Sequence, residues 1–181
     1  MSKIEWTNVT WNPITGCTPI SEGCTNCYAR RMAKRLQAMG LEKYKNGFEP
    51  TCHPKVLYDP YKWKKPRNVF ACSMGDIFHH DIYSEFIHKI FGVIRGCPHH
   101  TFQILTKRPE PFLYFWDHFN LKNLWLGVTV ESEKYLSRIN YLPTYNSDCK
   151  TFISFEPLLG PIPAINLYGI DWVIVGGETG P

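Results

Sequence analysis

Residues Thr101-Phe-Gln-Ile-Leu-Thr-Lys-Arg-Pro109 decide how the chain reads. Thr101–Thr106 is too short for a helix and rich in β-branched, aromatic and aliphatic residues, so it reads as a strand. Lys107 and Arg108 follow as a polar exit, and Pro109 suits the first turn of a helix expected over Pro109–His118. Strand, polar exit and helix make one β/α unit. The same rhythm recurs outward from it. Further strands are expected at Glu5–Trp11, Asn68–Ser73, Leu124–Val130, Thr151–Phe155 and Asp171–Val175. Helices are expected at Asn26–Met39, stopped by Gly40, and at Ser132–Leu142. A third follows the apolar stripe Tyr83, Phe86, Ile87, Ile90, Phe91 and Ile94, which ends near Gly96.

Strands alternating with helices imply parallel pairing, and nearly continuous apolar strands imply that both sheet faces are covered. A closed eight-stranded barrel takes about 250 residues. At 181 residues the expectation is therefore an α/β fold, an open, partial β/α barrel of about six parallel strands. It is expected to form one domain over 1–181. The irregular segment Leu41–Arg67, with Pro50, Pro54, Pro60 and Pro66, is expected to pack over one end of it.

Composition is that of a globular chain, 44% hydrophobic and 15% aromatic, with no segment disordered by composition. A net charge of +4 permits an anionic partner but falls short of a dedicated nucleic-acid module. No basic-then-apolar leader opens the chain, and no stretch approaches the roughly 20 apolar residues that span a bilayer. The expected compartment is the cytoplasm, with no membrane partner. Seven cysteines in such a chain read as metal ligands plus buried thiols rather than disulfides. Cys72, Cys97 and Cys149 lie in or beside apolar segments and are expected in the core, whereas Cys52, beside His53, has no clear assignment.

The metal ligands are sought in Thr15-Gly-Cys-Thr-Pro-Ile-Ser-Glu-Gly-Cys-Thr-Asn-Cys-Tyr-Ala29. Cys24 and Cys27 are two residues apart and can address one centre, and Cys17 arrives across a turn marked by Pro19, Ser21 and Gly23. Gly16 and Gly23 each precede a cysteine, where a missing side chain lets the backbone pass close to a bulky inorganic core. Three thiolates can hold three irons of a cubane and leave the fourth open for a ligand. The alternative is zinc completed by Cys52, His53 or Cys72, although no second paired spacing is present.

The segments Trp11–Cys17 and Gly23–Ala29 resemble the phage Gp37/Gp68 family, a domain of unknown function whose cysteine loop is similar to that of radical S-adenosylmethionine enzymes. The likeness continues through Val69–Phe78, Phe102–Pro109, Leu124–Ser132, Phe152–Pro161 and Trp172–Pro181. Two departures stand out. Six residues separate Cys17 from Cys24 where the usual loop has three, and Ser73-Met-Gly-Asp76 replaces a Gly-Gly-Glu-Pro type of motif. Family members usually continue past the position of Pro181, so a fragment or truncated product is expected.

The resemblance implies a [4Fe–4S] cluster on Cys17, Cys24 and Cys27. It also implies S-adenosyl-L-methionine chelated to the fourth iron and cleaved reductively to a 5′-deoxyadenosyl radical that acts on an unknown substrate. A low-potential electron donor is an implied partner. In such barrels the chemistry gathers at the carboxyl ends of the strands. The residues expected to contact the cofactor there are Ser73, Asp76, Lys107, Thr129, Glu131, Ser154, Glu156, Gly176, Gly177 and Glu178, with Tyr28 bordering the adenine or capping the core. Thr179 belongs to the same end. Glu156 has a competing reading as an ion pair with Lys107 or Arg108. Asp81 of His79-His80-Asp81 is expected as a helix N-cap, and His99-His100 carries no assignment. The basic aromatic stretch Tyr58–Arg67 keeps nucleic acid as a possible partner. The alternative function is a non-catalytic module, stapled by zinc or iron–sulfur, that binds nucleic acid through Lys62, Lys64, Lys65 and Arg67.

Overall fold

The computed structural model describes residue 4, residues 6–145 and residues 147–178; Glu5 and Thr179, named above, lie outside them. Strand β1 (Val9–Trp11) leads into a short ribbon of β2 (Ile14–Thr15) with β3 (Thr51–Cys52), and α1 (Tyr28–Ala38) and α2 (Pro54–Leu57) flank β3 in sequence. Then come β4 (Asn68–Ala71), α3 (Ser84–Gly96), β5 (Thr101–Thr106), β6 (Leu124–Thr129), β7 (Lys150–Leu158) and β8 (Trp172–Gly177). The large sheet runs β1-β4-β5-β6-β7-β8, and every pairing in it is parallel. The expected open partial barrel is what the chain forms.

Alternation along the strands divides the sheet into two chemistries. Val69, Phe102, Ile104, Leu124, Leu126, Val128 and Ile153 point to the helix-covered side, all at 1% exposure or less. There α3 buries Phe86, Ile87, Ile90, Phe91, Val93 and Ile94, each contributing about 1.5–3 kcal/mol by its removal from water. On the concave side Thr10, Phe70, Gln103 and Trp125 share a register row. Trp6 packs edge-on against Phe70 and Trp172, with ring centroids 4.7 and 5.7 Å apart, and Trp172 also meets Trp125 and Phe152. These rings plug the amino-terminal end of the concave face.

The segments expected as helices at Pro109–His118 and Ser132–Leu142 are instead 3₁₀ turns, Glu110–Tyr114, Trp116–His118 and Glu133–Tyr141. Pro109, Phe112 and Phe115 are buried at a spacing of three, the period of a 3₁₀ turn rather than of an α-helix. In Glu133–Tyr141 the three-residue period sets the Tyr135 ring over the Arg138 guanidinium at 4.2 Å. Asp81 caps nothing: α3 starts at Ser84, with Tyr83 at its N-cap position and no side-chain cap bond. Within segment Leu41–Arg67, Tyr44, Phe48 and Glu49 pack at the carboxyl end of the sheet against α1, Met74 and the base of the cysteine loop, while Pro54–Lys62 lies beside α3. Leu57 enters the main core, and the Trp11 indole donates to the Val56 carbonyl at 2.9 Å. Cys72, Cys97 and Cys149 are buried.

Candidate metal centre at the carboxyl end of the sheet

The cysteine loop is clamped at its base before any side chain is considered. Gly16 has φ +87°, a Cβ there would overlap the Glu49 carbonyl, and its N–H donates to the Met74 carbonyl at 2.8 Å. The Cys17 N–H donates to the Phe48 carbonyl at 3.1 Å. The β4 exit reaches the loop because Cys72 adopts φ +59°, a left-handed turn that is uncommon for a residue with a side chain. From that base the loop makes one 3₁₀ turn, Glu22–Cys24, and delivers Cys27 at the N-cap position of α1. Cys17, Cys24 and Cys27 are all partly exposed free thiols.

Two buried ion networks support the loop. In the first, Arg108 donates to Cys17 Sγ at 3.2 Å, Asp76 Oδ2 at 3.3 Å and the Thr18 carbonyl at 2.7 Å. Asp76 also accepts from the Thr106 hydroxyl at 2.8 and 2.9 Å and from the Phe78 N–H at 3.0 Å. Buried His79 meets the Thr18 hydroxyl at 2.8 Å. In the second, fully buried Glu131 pairs with Lys107 and Arg138, each at 2.6 Å, and accepts from the Ser21 hydroxyl in the loop. Gly23 lies directly over this pair, since a Cβ there would stand 2.7 Å from Glu131 Cγ and 2.9 Å from Lys107 Nζ.

The thiols respond to these neighbours. Burial pushes Cys17 up to about 11, Asp76 adds to the rise, and Arg108 opposes it. Burial also raises Cys24, but hydrogen bonds from the Ile20 backbone and the Ser21 hydroxyl, together with the charge of Lys107, outweigh it and leave the thiol lowered.

The residues expected at this end divide into engaged and open groups. Asp76 and Glu131 are consumed in the two networks, and Lys107 is paired with Glu131. Ser73 donates to the Asn12 side chain at 3.2 Å, and its carbonyl accepts from the Tyr28 hydroxyl, so the half-exposed Tyr28 ring ties α1 to the β4 exit. Thr129 is buried, and its carbonyl accepts from Arg138 at 2.8 Å. Ser154 donates to Glu156 at 3.1 Å, and Gly176 lies against that carboxylate. Glu156 is exposed and makes neither of the ion pairs weighed for it, because Lys107 and Arg108 already hold Glu131 and Asp76. Gly177 faces open space, and Glu178 is exposed. Arg138, which carries no assignment in the sequence, holds the second network together; its signal was a lone arginine between Tyr135, Leu136 and Ile139. In Tyr58–Arg67, Lys62 pairs with Asp59 and Arg67 lies over Trp63.

A family model described as a protein of unknown function (DUF5131) matches residues 1–181. The chain belongs to the DUF5131 family. None of the curated proteins matches this DUF5131 chain in sequence. Solved structures do match its fold. One is a spore photoproduct lyase double mutant with bound AdoMet and dinucleoside spore photoproduct, at 12% identity and TM-score 0.57, covering 82% of this chain and 45% of that one. Another is a single mutant of spore photoproduct lyase, at 13% identity and TM-score 0.58 with the same coverage. A third, spore photoproduct lyase complexed with dinucleoside spore photoproduct, has 12% identity and TM-score 0.55, with 80% and 44% covered. The chain thus spans less than half the length of the structures it matches. Among the described residues no helix is long and apolar enough to cross a membrane.

The three thiols are not gathered as a preformed single-zinc site. Tetrahedral zinc with Zn–S bonds of about 2.3 Å draws its sulfurs to within about 4 Å of one another. Among the described residues, the three donors whose ligand atoms lie within 4.8 Å of one another are His79, His80 and Asp81, not the three cysteines. A cubane seats each thiolate on a different iron and holds them further apart. Arg108 donates to Cys17 Sγ, and the charge of Lys107 helps lower Cys24, although each cation is also paired with a buried carboxylate.

Proposed function

We propose that the DUF5131 chain binds a [4Fe–4S] cluster on Cys17, Cys24 and Cys27, and S-adenosyl-L-methionine beside it, as a radical S-adenosylmethionine-type enzyme. The observation that carries this reading is a single three-thiol loop at the carboxyl end of the first parallel strand, anchored to Arg108 and to the Lys107–Glu131 pair. A fold shared with a structure that holds AdoMet supports it. Cys17, Cys24 and Cys27 would hold the cluster, which when bound would supply the one-electron reductive cleavage of S-adenosyl-L-methionine, the radical chemistry directed at an unknown substrate.

The chain's own residues do the rest. The packed rings of Trp6, Phe70, Trp125, Phe152 and Trp172 narrow the amino-terminal end of the concave face. Arg108 and Ser21 hold the loop in register with the sheet. Glu156, held by the buried Ser154 hydroxyl, and the backbone at Gly176 and Gly177 remain available to polar groups of the nucleotide or substrate. A nucleic-acid component is the favoured substrate class, because the fold is shared with structures that bind dinucleoside spore photoproduct.

Anaerobic reconstitution with iron and sulfide tests the proposal. The expected product is a brown protein with about four irons per chain that releases 5′-deoxyadenosine on addition of S-adenosylmethionine and dithionite. Cys24→Ala is expected to lose both properties. A colourless protein holding one zinc would overturn the proposal and favour the stapled binding module.

A further inference from the structure

The turn between β4 and α3 carries three metal-type donors that the proposed function does not use. The Ile82 N–H donates to the His79 carbonyl at 2.9 Å and closes a turn with His80 and Asp81 at its two central positions. Ile82 and the His79 ring are buried, whereas the side chains of His80 and Asp81 are 73% and 56% exposed. Folding back in this way brings three consecutive side chains together. The His79 and His80 rings stack with centroids 4.3 Å apart, and one donor atom from each of His79, His80 and Asp81 lies within 4.8 Å of the others. Asp81 does not cap α3, and among the described residues it has no lysine or arginine partner.

Hydrogen bonding fixes the form of the buried ring. The Asp81 N–H donates to His79 Nδ1 at 3.2 Å, so Nδ1 bears a lone pair. The ring proton therefore sits on Nε2, which donates to the Thr18 hydroxyl oxygen at 2.8 Å. Thr18 is itself held, since Arg108 Nη2 donates to the same oxygen at 3.1 Å. A fixed acceptor on one ring nitrogen and a lone pair on the other is the arrangement that orients histidine ligands towards metals.

The distances agree with this chemistry. His79 Nδ1 faces Asp81 Oδ2 at 3.6 Å, and Asp81 Oδ1 lies 3.3 Å from His80 Nε2. Donors about 2.0–2.2 Å from a tetrahedral zinc ion stand about 3.4 Å from one another, close to both separations. Nδ1 and Oδ2 are both acceptors with no proton between them, and a cation placed there satisfies the two together. We propose that His79, His80 and Asp81 bind one divalent transition-metal ion of the zinc class. Two imidazoles and one carboxylate select such an ion over calcium or magnesium, which take oxygen ligands. The ion replaces the long Asp81 N–H bond at Nδ1, and that N–H belongs to an exposed residue where water can receive it. His80 and Asp81 close the remaining gap by rotating exposed side chains, and water takes the fourth position. Through His79 and Thr18 the ion braces the start of the cysteine loop beside Cys17.

Cobalt(II) is the probe, because nitrogen and oxygen ligands give it weak visible bands whereas thiolates add intense near-ultraviolet charge-transfer bands. It is titrated into the full-length wild type and into C17S/C24S/C27S, each with and without H80Q or D81N, whose exposed positions spare the core. The triple variant is expected to bind one cobalt per chain without thiolate bands, and zinc is expected to displace it. H80Q and D81N are each expected to weaken this binding by about tenfold or more, and to abolish the rise in thermal midpoint that zinc produces. Equal affinity after both substitutions overturns the site, as does a folded triple variant that binds no cobalt. If the triple variant does not fold, the wild type decides: loss of the thiolate-free visible bands in H80Q and D81N supports the site, and cobalt bound with thiolate bands alone overturns it. Metal that survives removal of the three thiols belongs to the histidine turn, so this site and the cluster proposed on the cysteines fail separately.

Discussion

Arg108 Nη1 lies 3.2 Å from Cys17 Sγ and 3.3 Å from Asp76 Oδ2, so one guanidinium carries both a loop thiol and a buried carboxylate. The group is planar with several fixed donors, and its second nitrogen reaches the Thr18 carbonyl at 2.7 Å. Removing it leaves Asp76 short of a cation and frees the start of the loop. Arg108→Met is expected to cost about 3–5 kcal/mol, the scale for breaking a buried charge pair. Arg108→Lys should recover only part, because an ammonium cannot reproduce the fork. Urea midpoints of the two variants check this, and an unchanged midpoint in Arg108→Met would sink it.

Glu131 is the counterpart in the second network. Burial alone would raise its carboxyl, but Lys107, the Ser21 hydroxyl and Arg138 outweigh burial and hold it below the ordinary value of 4.5. A carboxyl depressed in the folded state contributes stability that is present above 4.5 and lost as pH falls through the folded value. Glu131→Gln is expected to destabilise the protein at pH 7 by about 3–5 kcal/mol, since two buried cations lose their partner. The variant should also lose this acid-dependent component, which denaturant titrations at pH 3–7 will resolve.

His53 gives a pH dependence of a different origin in a higher window. Burial, assisted by the charge of Lys43, pushes its imidazole down from 6.5 to about 4 while Thr15 shares a 2.7 Å hydrogen bond with it. The folded chain therefore holds His53 neutral, and stability is expected to fall as pH drops from 6.5 towards 4. His53→Gln should flatten the curve over that interval, and a slope equal to that of the wild type would count against the assignment.

Glycines on this chain are predicted to part in sign. Gly92 lies on the exposed face of α3 with nothing within 4 Å of the place a Cβ would take, so Gly92→Ala should stabilise by about 0.5–1 kcal/mol. Gly23→Ala would push a methyl group to 2.7 Å from Glu131 Cγ and shift the cysteine loop, costing about 1–3 kcal/mol. Thermal midpoints compare the two, and iron content per chain after reconstitution reads whether the loop has moved.

The strands were legible because each is a compact apolar run whose ends are marked by polar residues. Thr101–Thr106 was bounded to the residue, and the other five main-sheet strands were found with ends differing by a few positions. The helical character of Pro109–His118 and Ser132–Leu142 was misread because apolar spacing at three or four residues fits 3₁₀ and α turns alike. At the site, the thiols were legible as a spacing, but the partners of Asp76, Glu131 and Glu156 were not. Lys107 and Arg108 are adjacent in sequence, and nothing local says which carboxylate each will meet.

The order of strands and helices and the cluster of three cysteines on one loop were determined by the sequence alone, because both are written in short-range patterns of polarity and residue type. Tertiary structure alone decided that Lys107 takes Glu131, that Arg108 takes Asp76 and Cys17, and that Glu156 stays open. Those choices depend on how parallel strands far apart in the chain bring their carboxyl ends together, and the buried charges there had to be paired with whichever partner the packing placed within reach.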